Sequence, residues 1–413
     1  MKEGLIIKLY RERAGLTQTQ LGEGICSVTH ISKIERGITQ YSSEIISLIC
    51  KRLNIDLNQE LEQYELLEKK LNEWLEVMVK QQLGELDTLK EEIENNAYIY
   101  LSEVQNSYRI LLARYYFFKG NLQKGKEILD SCLQQLGLLD RYDKHLLEHT
   151  LGIYYISLGN IKEAIKHLTN INPIEYNNHE FYYHLASAYH MIQAKVKAYH
   201  YGNLALSYFR TTNNFKRMLD TETLMLIQMG YNDIDHFEDT VERYHALIKS
   251  CKTYQEDVKV VNLWHNLGVD FAAKNLFEEA RDAYEKALEG CYTLSLPHIE
   301  LGARRGFVHC SIHVGHTEQT VLEKHIQLGR NLAKNMKNDT YLHVFHLLEI
   351  MLMHSQSETY YQYLETTFLP HLREKGQESL LMIYEKEIFH YYRRSSQYEK
   401  AAELANKYMS ASL

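Results

Sequence analysis

Residues 261–294, VNLWHNLGVDFAAKNLFEEARDAYEKALEGCYTL, set the pattern from which the rest of the chain is read. Trp264, Leu267, Gly268, Phe271, Ala280, Tyr284 and Ala287 occupy places that recur elsewhere in the sequence. Taking Ala113, Gly152, Ala186 and Gly268 as position eight puts Leu112, Leu151, Leu185 and Leu267 at seven. Tyr116, Tyr155, Tyr189 and Phe271 then fall at eleven, and Ala164, Ala198 and Ala280 at twenty. Gly152 and Ala186 stand 34 residues apart. Small residues at eight and twenty let the two helices of a hairpin approach, and the aromatics fill the space beside them. A period of this length marks stacked helical hairpins.

Residues 106–139, 145–178 and 179–212 are further good copies. Those at 216–250, 301–335, 339–372 and 377–413 are degenerate, the last recognisable mainly by Tyr398 to Tyr408, and a weaker one overlaps 70–103. The pattern resembles the tetratricopeptide repeat. That resemblance implies a right-handed superhelix whose concave face takes an extended peptide or a partner helix. It also implies which positions of each first helix face inward. In the clearest copy these are Asn262, His265 and Asn266; elsewhere they are Arg114, His149, Tyr183, Ser187, His190, Asp220 and Arg305. Asn262 and Asn266 share a helical face, and an amide can bond both the N–H and the C=O of a passing peptide. Arg114 or Arg305 could hold a peptide carboxylate. The alternative for each is an ordinary solvated side chain.

A different pattern opens the chain. Residues 15–37, GLTQTQLGEGICSVTHISKIERG, read as two short helices joined by a tight turn. A first helix over about 2–14, with Leu5, Ile6, Leu9 and Tyr10 inward, ends at Gly15. Thr17-Gln18-Thr19-Gln20 fits a capping box. Ser27 is the expected N-cap of the third helix, Ile31 and Ile34 its buried face, and Gly37 its exit. Ser27, Val28, Thr29, His30 and Lys33 then project outward near the end that enters a major groove. The stretch 4–55 resembles the phage-repressor, or XRE, type of helix-turn-helix. The likeness implies that Gln18 bonds phosphate and buttresses the reading helix, with Arg36 among the DNA-facing cations.

Composition agrees with an all-α chain. There are only three prolines, Pro173, Pro297 and Pro370, and the first 172 residues have none. Net charge is −8, but residues 1–58 carry +2 and the remainder −10, so a mildly basic head precedes an acidic body. Six scattered cysteines without a CxxC pair predict neither disulfides nor zinc and fit a reducing cytoplasm. No signal peptide and no membrane span are expected.

From 58 to about 83 the spacing of Tyr64, Leu67, Leu71, Trp74 and Met78 predicts one long helix with a coiled-coil-like seam. The seam either pairs two subunits or packs on the following helices. Expected boundaries are a head at 1–57, a connector at 58–100 and a repeat body at 101–413 for peptide binding and oligomerisation.

Catalytic and metal signatures are weak. His145-Leu-Leu-Glu-His149 has the letters of a zinc-peptidase motif but lies in register inside a repeat helix. In His179-Glu180 to His184 the histidines are five residues apart, about 140° around a helix, which separates them as ligands. His309, His313 and His316 are close in sequence, as chance allows among 21 histidines. No phosphate-binding loop or nucleophile elbow occurs, so no cofactor, no metal and no enzymatic activity are expected.

A repressor-type head on a tetratricopeptide body resembles the RRNPP family of Gram-positive peptide-sensing regulators; length and about eight repeats resemble its neutral-protease-regulator branch. The resemblance implies a cytoplasmic quorum-sensing regulator that binds double-stranded DNA and is controlled by a short, re-imported signalling peptide. Self-association as a homodimer, and as a tetramer with peptide, is also implied. Two alternatives stand beside it. One is a Rap-like regulator that sequesters a sporulation phosphorelay response regulator, with Gln63, Gln81 and Gln82 in the region of contact. The other is a peptide-independent repressor whose repeats only oligomerise.

Overall fold

A computed structural model describes residues 2–38, 42–229, 237–354 and 357–411. Among these, every regular element is helical. The chain divides into two compact units, Met1–Gln228 and Met229–Leu413.

The first unit opens with α1 (Lys2–Arg13), α2 (Gln18–Gly22), α3 (Val28–Glu35) and α4 (Ser43–Leu53). Ile7, Leu21, Ile31, Ile34 and Ile49 form their shared core. Ile7 is an addition to the inward set expected for α1; Leu5, Leu9 and Tyr10 are only half-buried. Both bonds of the capping box are present. Gln20 N donates to Thr17 Oγ1 at 3.2 Å, and Thr17 N donates to Gln20 Oε1 at 2.9 Å. Gly4 carries the tightest approach: a Cβ there would sit 2.1 Å from the carbonyl oxygen of Ile34, so α1 rides directly on the α3 backbone. Gly37 takes φ +64°, the left-handed conformation that ends a helix without steric cost in glycine.

Helix α5 (Leu57–Lys80) starts on Asp56, whose carboxylate accepts from the amides of Asn58 and Gln59. Its seam residues Tyr64, Leu67, Leu71, Trp74 and Met78 are all buried. They pack with residues of α6 (Leu86–Glu94) and α7 (Ser102–Phe118) in one hydrophobic core. Trp74 Nε1 donates to the Leu86 carbonyl at 3.1 Å, and its ring stacks on Tyr108. The seam is therefore consumed within the chain, which settles the two readings in favour of packing on the following helices. Ile6 of α1 joins this core, so the head is seated on the repeats through packing as well as covalently.

Hairpins follow: α7 with α8 (Leu122–Leu133), α9 (Arg141–Ser157) with α10 (Ile161–Thr169), and α11 (Phe181–Met191) with α12 (Lys195–Thr211). Helix α13 (Phe215–Met229) completes the unit. Ala113, Ala164, Ala186 and Ala198 are fully buried, and a Cβ at Gly152 would lie 2.5 Å from Leu168. The small-residue code thus marks true helix crossings. Helix α10 has only nine residues, shorter than the pattern implies. The chain from 170 to 180 leaves it early and turns inward.

The second unit contains α14 (Phe237–Thr253), then α15 (Asp257–Ala273) with α16 (Phe277–Leu294) and α17 (Pro297–Val314) with α18 (Gln319–Asn335). Helix α19 (Asp339–His354) is followed by α20 (Glu358–Tyr363), a π-helical turn at Leu364–Phe368 and α21 (Leu369–Glu374). Pro370, which cannot donate to the preceding turn, stands just after that wide turn. Helices α22 (Glu378–Arg394) and α23 (Tyr398–Ala411) end the chain. Residues 230–236 of the degenerate 216–250 copy and 355–356 of the 339–372 copy lie outside the described residues.

Candidate functional site

The head presents one polar face. Ser27 Oγ accepts from the His30 amide at 3.3 Å, which fixes the start of α3. Ser27, Val28, Thr29, His30, Lys33 and Arg36 are all exposed. Val28 is 46% exposed. Arg36 turns back along its own helix, with Nε donating to the Ser32 carbonyl at 3.1 Å. The face is braced from below. Buried Glu35 receives Arg11 Nη2 at 3.1 Å and Gln18 Nε2 at 2.8 Å, so Gln18 ties α2 to the end of α3. Arg52 Nη1 donates to the Leu21 carbonyl at 2.9 Å and satisfies an orphan acceptor at the end of α2.

Arg114 and His149, expected on an open groove, instead lie in the interior, 1% and 0% exposed. The segment after the short α10 turns inward and buries Tyr176, Asn178 and Glu180, with Tyr176 against His149 and Glu180 against Arg114. Glu180 is the centre of this buried network. One carboxylate oxygen takes Arg114 Nη2 and the other takes Arg217 Nη2 at 2.7 Å. Arg217 Nε and Asn214 Nδ2 both reach the Val79 carbonyl, at 3.3 and 3.0 Å, tying α13 to the end of α5. His149 joins Tyr176 OH at 2.9 Å through Nδ1 and His184 Nδ1 at 2.8 Å through Nε2. Among the described residues, Arg114 Nε and Nη1 have no hydrogen-bond partner.

Burial opposes a charge on Glu180, but Arg114 and Arg217 overcome it and hold its carboxyl far below the ordinary range. Burial pushes His184 down to about 3 and His149 well below its ordinary value, with His184 and Arg114 adding to the effect on His149. Both imidazoles are therefore neutral at pH 7. An unfolded imidazole takes up its proton near pH 6.5, whereas these resist in the folded chain until about pH 3 in the case of His184. Stability should thus be full above about pH 6.5 and fall as pH drops toward 3, at up to about 1.4 kcal/mol per pH unit for each histidine. Urea midpoints at pH 7 and 5 check this: the drop should shrink in a His149→Gln/His184→Gln chain, and an equal drop would contradict it.

Ligand atoms of His149, Glu180 and His184 lie within 4.8 Å of one another, a group that could in principle hold a metal. The chemistry opposes it. Glu180 is clamped by two guanidiniums, and an added cation would face both at short range in a low-dielectric interior. The zinc-peptidase letters also dissolve here, because His145 points to Glu175 while His149 points inward. In the second unit His313 stacks on Phe277 and His309 meets that ring edge-on, and among the described residues no third ligand joins them.

The remaining groove candidates of the first unit are half-buried on one face of α11: Tyr183, Ser187 and His190. The Arg217 guanidinium lies over the Tyr183 ring at 4.8 Å, and Gln228 Nε2 meets His190 Nδ1 at 2.8 Å. Asp220 accepts from Gln81 Nε2 at 3.2 Å; Gln81 itself is the left-handed cap of α5. Sequence reasoning missed Arg217 and Asn214, and took Glu180 only as part of the His179-Glu180 to His184 letters.

In the second unit Asn262, His265, Asn266 and Arg305 are half-buried. Asn262 Nδ2 donates to the Val258 carbonyl at 3.1 Å, and His265 Nδ1 approaches Asn266 Oδ1 at 3.4 Å. Gly302 and Gly306 admit the rings of His265 and Tyr284, which a Cβ would meet at 2.8 and 2.3 Å. These two glycines let α17 sink onto α15 and α16 and set Arg305 beside His265. Burial, with Arg305 adding to it, lowers His265 to about 4 and keeps it neutral.

Residues 7–59 match the Helix-turn-helix family. Over 285 residues the chain is 24% identical to the transcriptional activator NprA of Geobacillus stearothermophilus, covering 65% of this chain and 67% of that one. Over 351 residues it is 23% identical to the regulatory protein RapD of Bacillus subtilis (strain 168), covering 80% and 95%. Its fold is that of the quorum sensor NprR from B. thuringiensis. The apo form superposes with a TM-score of 0.69 at 20% identity, covering 84% of this chain and 98% of that one. NprR in complex with its cognate peptide NprX gives 0.64 at 19%, covering 84% and 99%. These relatives are regulators by name, in keeping with a chain that is not an enzyme. With an all-α fold that joins a helix-turn-helix head to a body of helical-hairpin repeats, the chain is similar in sequence and fold to these regulators.

Proposed function

We propose that this protein is a DNA-binding transcriptional regulator whose grip on an operator is controlled by a short signalling peptide held by its repeats. The observation that carries the reading is the head itself. An exposed Ser27–Lys33 face stands on a helix braced by Glu35, Arg11 and Gln18, within the same compact unit as the first repeats. A change in the repeats can therefore move a reading helix as a body. Likeness in fold to a sensor crystallised with its cognate peptide supports the peptide as the input. One head of +2 charge binds DNA weakly, so two copies working as a homodimer, or as a tetramer with peptide, are required for a firm hold. Among the described residues no helix is long and apolar enough to cross a membrane, which fits a cytoplasmic setting.

Within this reading Thr29 and Lys33 meet base edges or phosphate, while Asn262 and Asn266 hold peptide backbone. The Thr29→Ala/Lys33→Ala chain should lose roughly tenfold or more in affinity for genomic fragments selected by the wild type, with a shallower salt dependence. Gel-shift titrations from 50 to 200 mM salt test it, and unchanged affinity and slope would remove α3 as the reader. A second reading, favoured by the long RapD likeness, is that the repeats also seize a response-regulator protein.

A further inference from the structure

Among the described residues of the second unit, Arg305 forms no ion pair, and the carboxylate that feels its charge is that of Glu387. Arg305 on α17 is surrounded by aromatic and neutral groups: Tyr284, Tyr341 and Tyr384, with His265 on the neighbouring helix. Among the described residues its Nε has no hydrogen-bond partner, and no carboxylate lies within ion-pair distance of it. A half-buried guanidinium without a directly paired anion is an expensive arrangement in a folded protein. Tyr384, which hydrogen-bonds Arg305, stands one turn from Glu387 on α22. Glu387 begins a cavity of about 540 Å³ that continues along His390, Arg393 and Arg394 to Tyr398 on α23. Arg394 Nη2 donates to Tyr361 OH at 3.3 Å, and the Tyr361 ring stacks on Tyr391 at 3.7 Å, which steadies the Arg394 side chain.

The charge balance along this path is three guanidiniums against the one carboxylate of Glu387. Burial raises Glu387, and Tyr360, Arg394 and Arg305 act against that rise. The cavity is roomy, lined by Arg393, Arg394, His390 and Tyr398 with the one carboxylate of Glu387, a combination that suits an acidic ligand of peptide size.

We propose that the second unit receives a carboxylate of the signalling peptide, with Arg305 and Arg394 as its anchors and the α22–α23 cavity as its seat. This rests on the peptide-receptor reading above and adds to it the chemistry of the ligand: the peptide carries an acidic side chain or presents its free C-terminus here. A guanidinium grips a carboxylate through paired, charge-assisted N–H bonds, which neither a lysine nor an amide reproduces.

Full-length protein can be challenged with three synthetic random heptapeptide pools, and retained peptides sequenced by mass spectrometry. One pool has free C-termini and no Asp or Glu, one is C-terminally amidated with Asp and Glu allowed, and one is amidated and free of acids. Retention should favour the first or second pool over the third by roughly 10- to 100-fold, the value of a hydrogen-bonded charge pair. Whichever of the two is retained tells terminus from side chain. Arg305→Gln and Arg394→Gln should each weaken the selected peptide by a similar factor, with Arg305→Lys intermediate and the melting curve of each variant recorded alongside. Equal retention of the acid-free amidated pool overturns the carboxylate site and leaves the receptor reading standing. Unchanged affinity in both folded glutamine variants does the same. Retention of no peptide from any pool overturns both.

Discussion

Replacing Glu180 with glutamine is expected to lower the stability of the first unit by roughly 3–5 kcal/mol, the usual cost of stripping one partner from a buried ion pair. Arg114 and Arg217 are 1% and 7% exposed and would both remain charged with no anion between them. The network also joins elements far apart in the chain. Glu180 precedes α11, Arg114 sits on α7, and Arg217 on α13 reaches back to the Val79 carbonyl at the end of α5. Loss of the carboxylate therefore loosens the packing of three successive repeats and of the connector. At about 2–4 °C per kcal/mol for a unit of this size, the melting midpoint should fall by roughly 10 °C. The triple change Arg114→Met/Glu180→Leu/Arg217→Leu removes every charge and should recover much of the loss, because an apolar replacement of a buried ion network is often neutral or stabilising. Circular dichroism of the full chain with hydrogen exchange of the first unit checks both. A glutamine variant that melts within about 1 °C of the wild type would show that Glu180 is not the keystone.

Gly4→Ala is expected to abolish DNA binding while leaving the repeats folded. The new Cβ would meet the Ile34 carbonyl oxygen at 2.1 Å, and that obstacle is backbone, which cannot swing aside as a side chain does. Either α1 lifts from α3 or the five-residue head core opens. In both cases Glu35 loses its register with Arg11, and the brace beneath the reading helix fails. Overpacking of this kind costs roughly 1–3 kcal/mol or more, a large part of what so small a core can supply. Operator affinity should drop at least 100-fold, with thermal unfolding of the second unit and retention of peptide unchanged. Wild-type affinity in the alanine variant would contradict the close α1–α3 seat.

The repeats were legible because the residues that set them are local. Gly152, Ala186 and Gly268 mark crossings in which each helix meets its sequence neighbour, so a 34-residue spacing suffices to locate them. The head was legible for the same reason, since Thr17, Gln20 and Ser27 make caps within one turn. What escaped was non-local. His149 occupies a position that faces the groove in a regular repeat, yet here the segment after the short α10 folds Tyr176 against it, and the inner surface becomes interior. No spacing rule pairs Glu180 with arginines 66 residues before it and 37 after it. The seam of α5 carried a true pattern of burial, but periodicity states only that a face is covered and not by which chain.

Peptide control of DNA binding is the claim on which the rest depends. Its most direct test is the operator affinity of the full-length protein across a titration with the candidate peptides encoded beside its gene, with mass measured by light scattering on the same samples. A tenfold or larger change in affinity, accompanied by a change in mass and absent in Asn266→Ala or Arg305→Gln, is the expected result. Affinity and mass that stay constant to saturating peptide would contradict it.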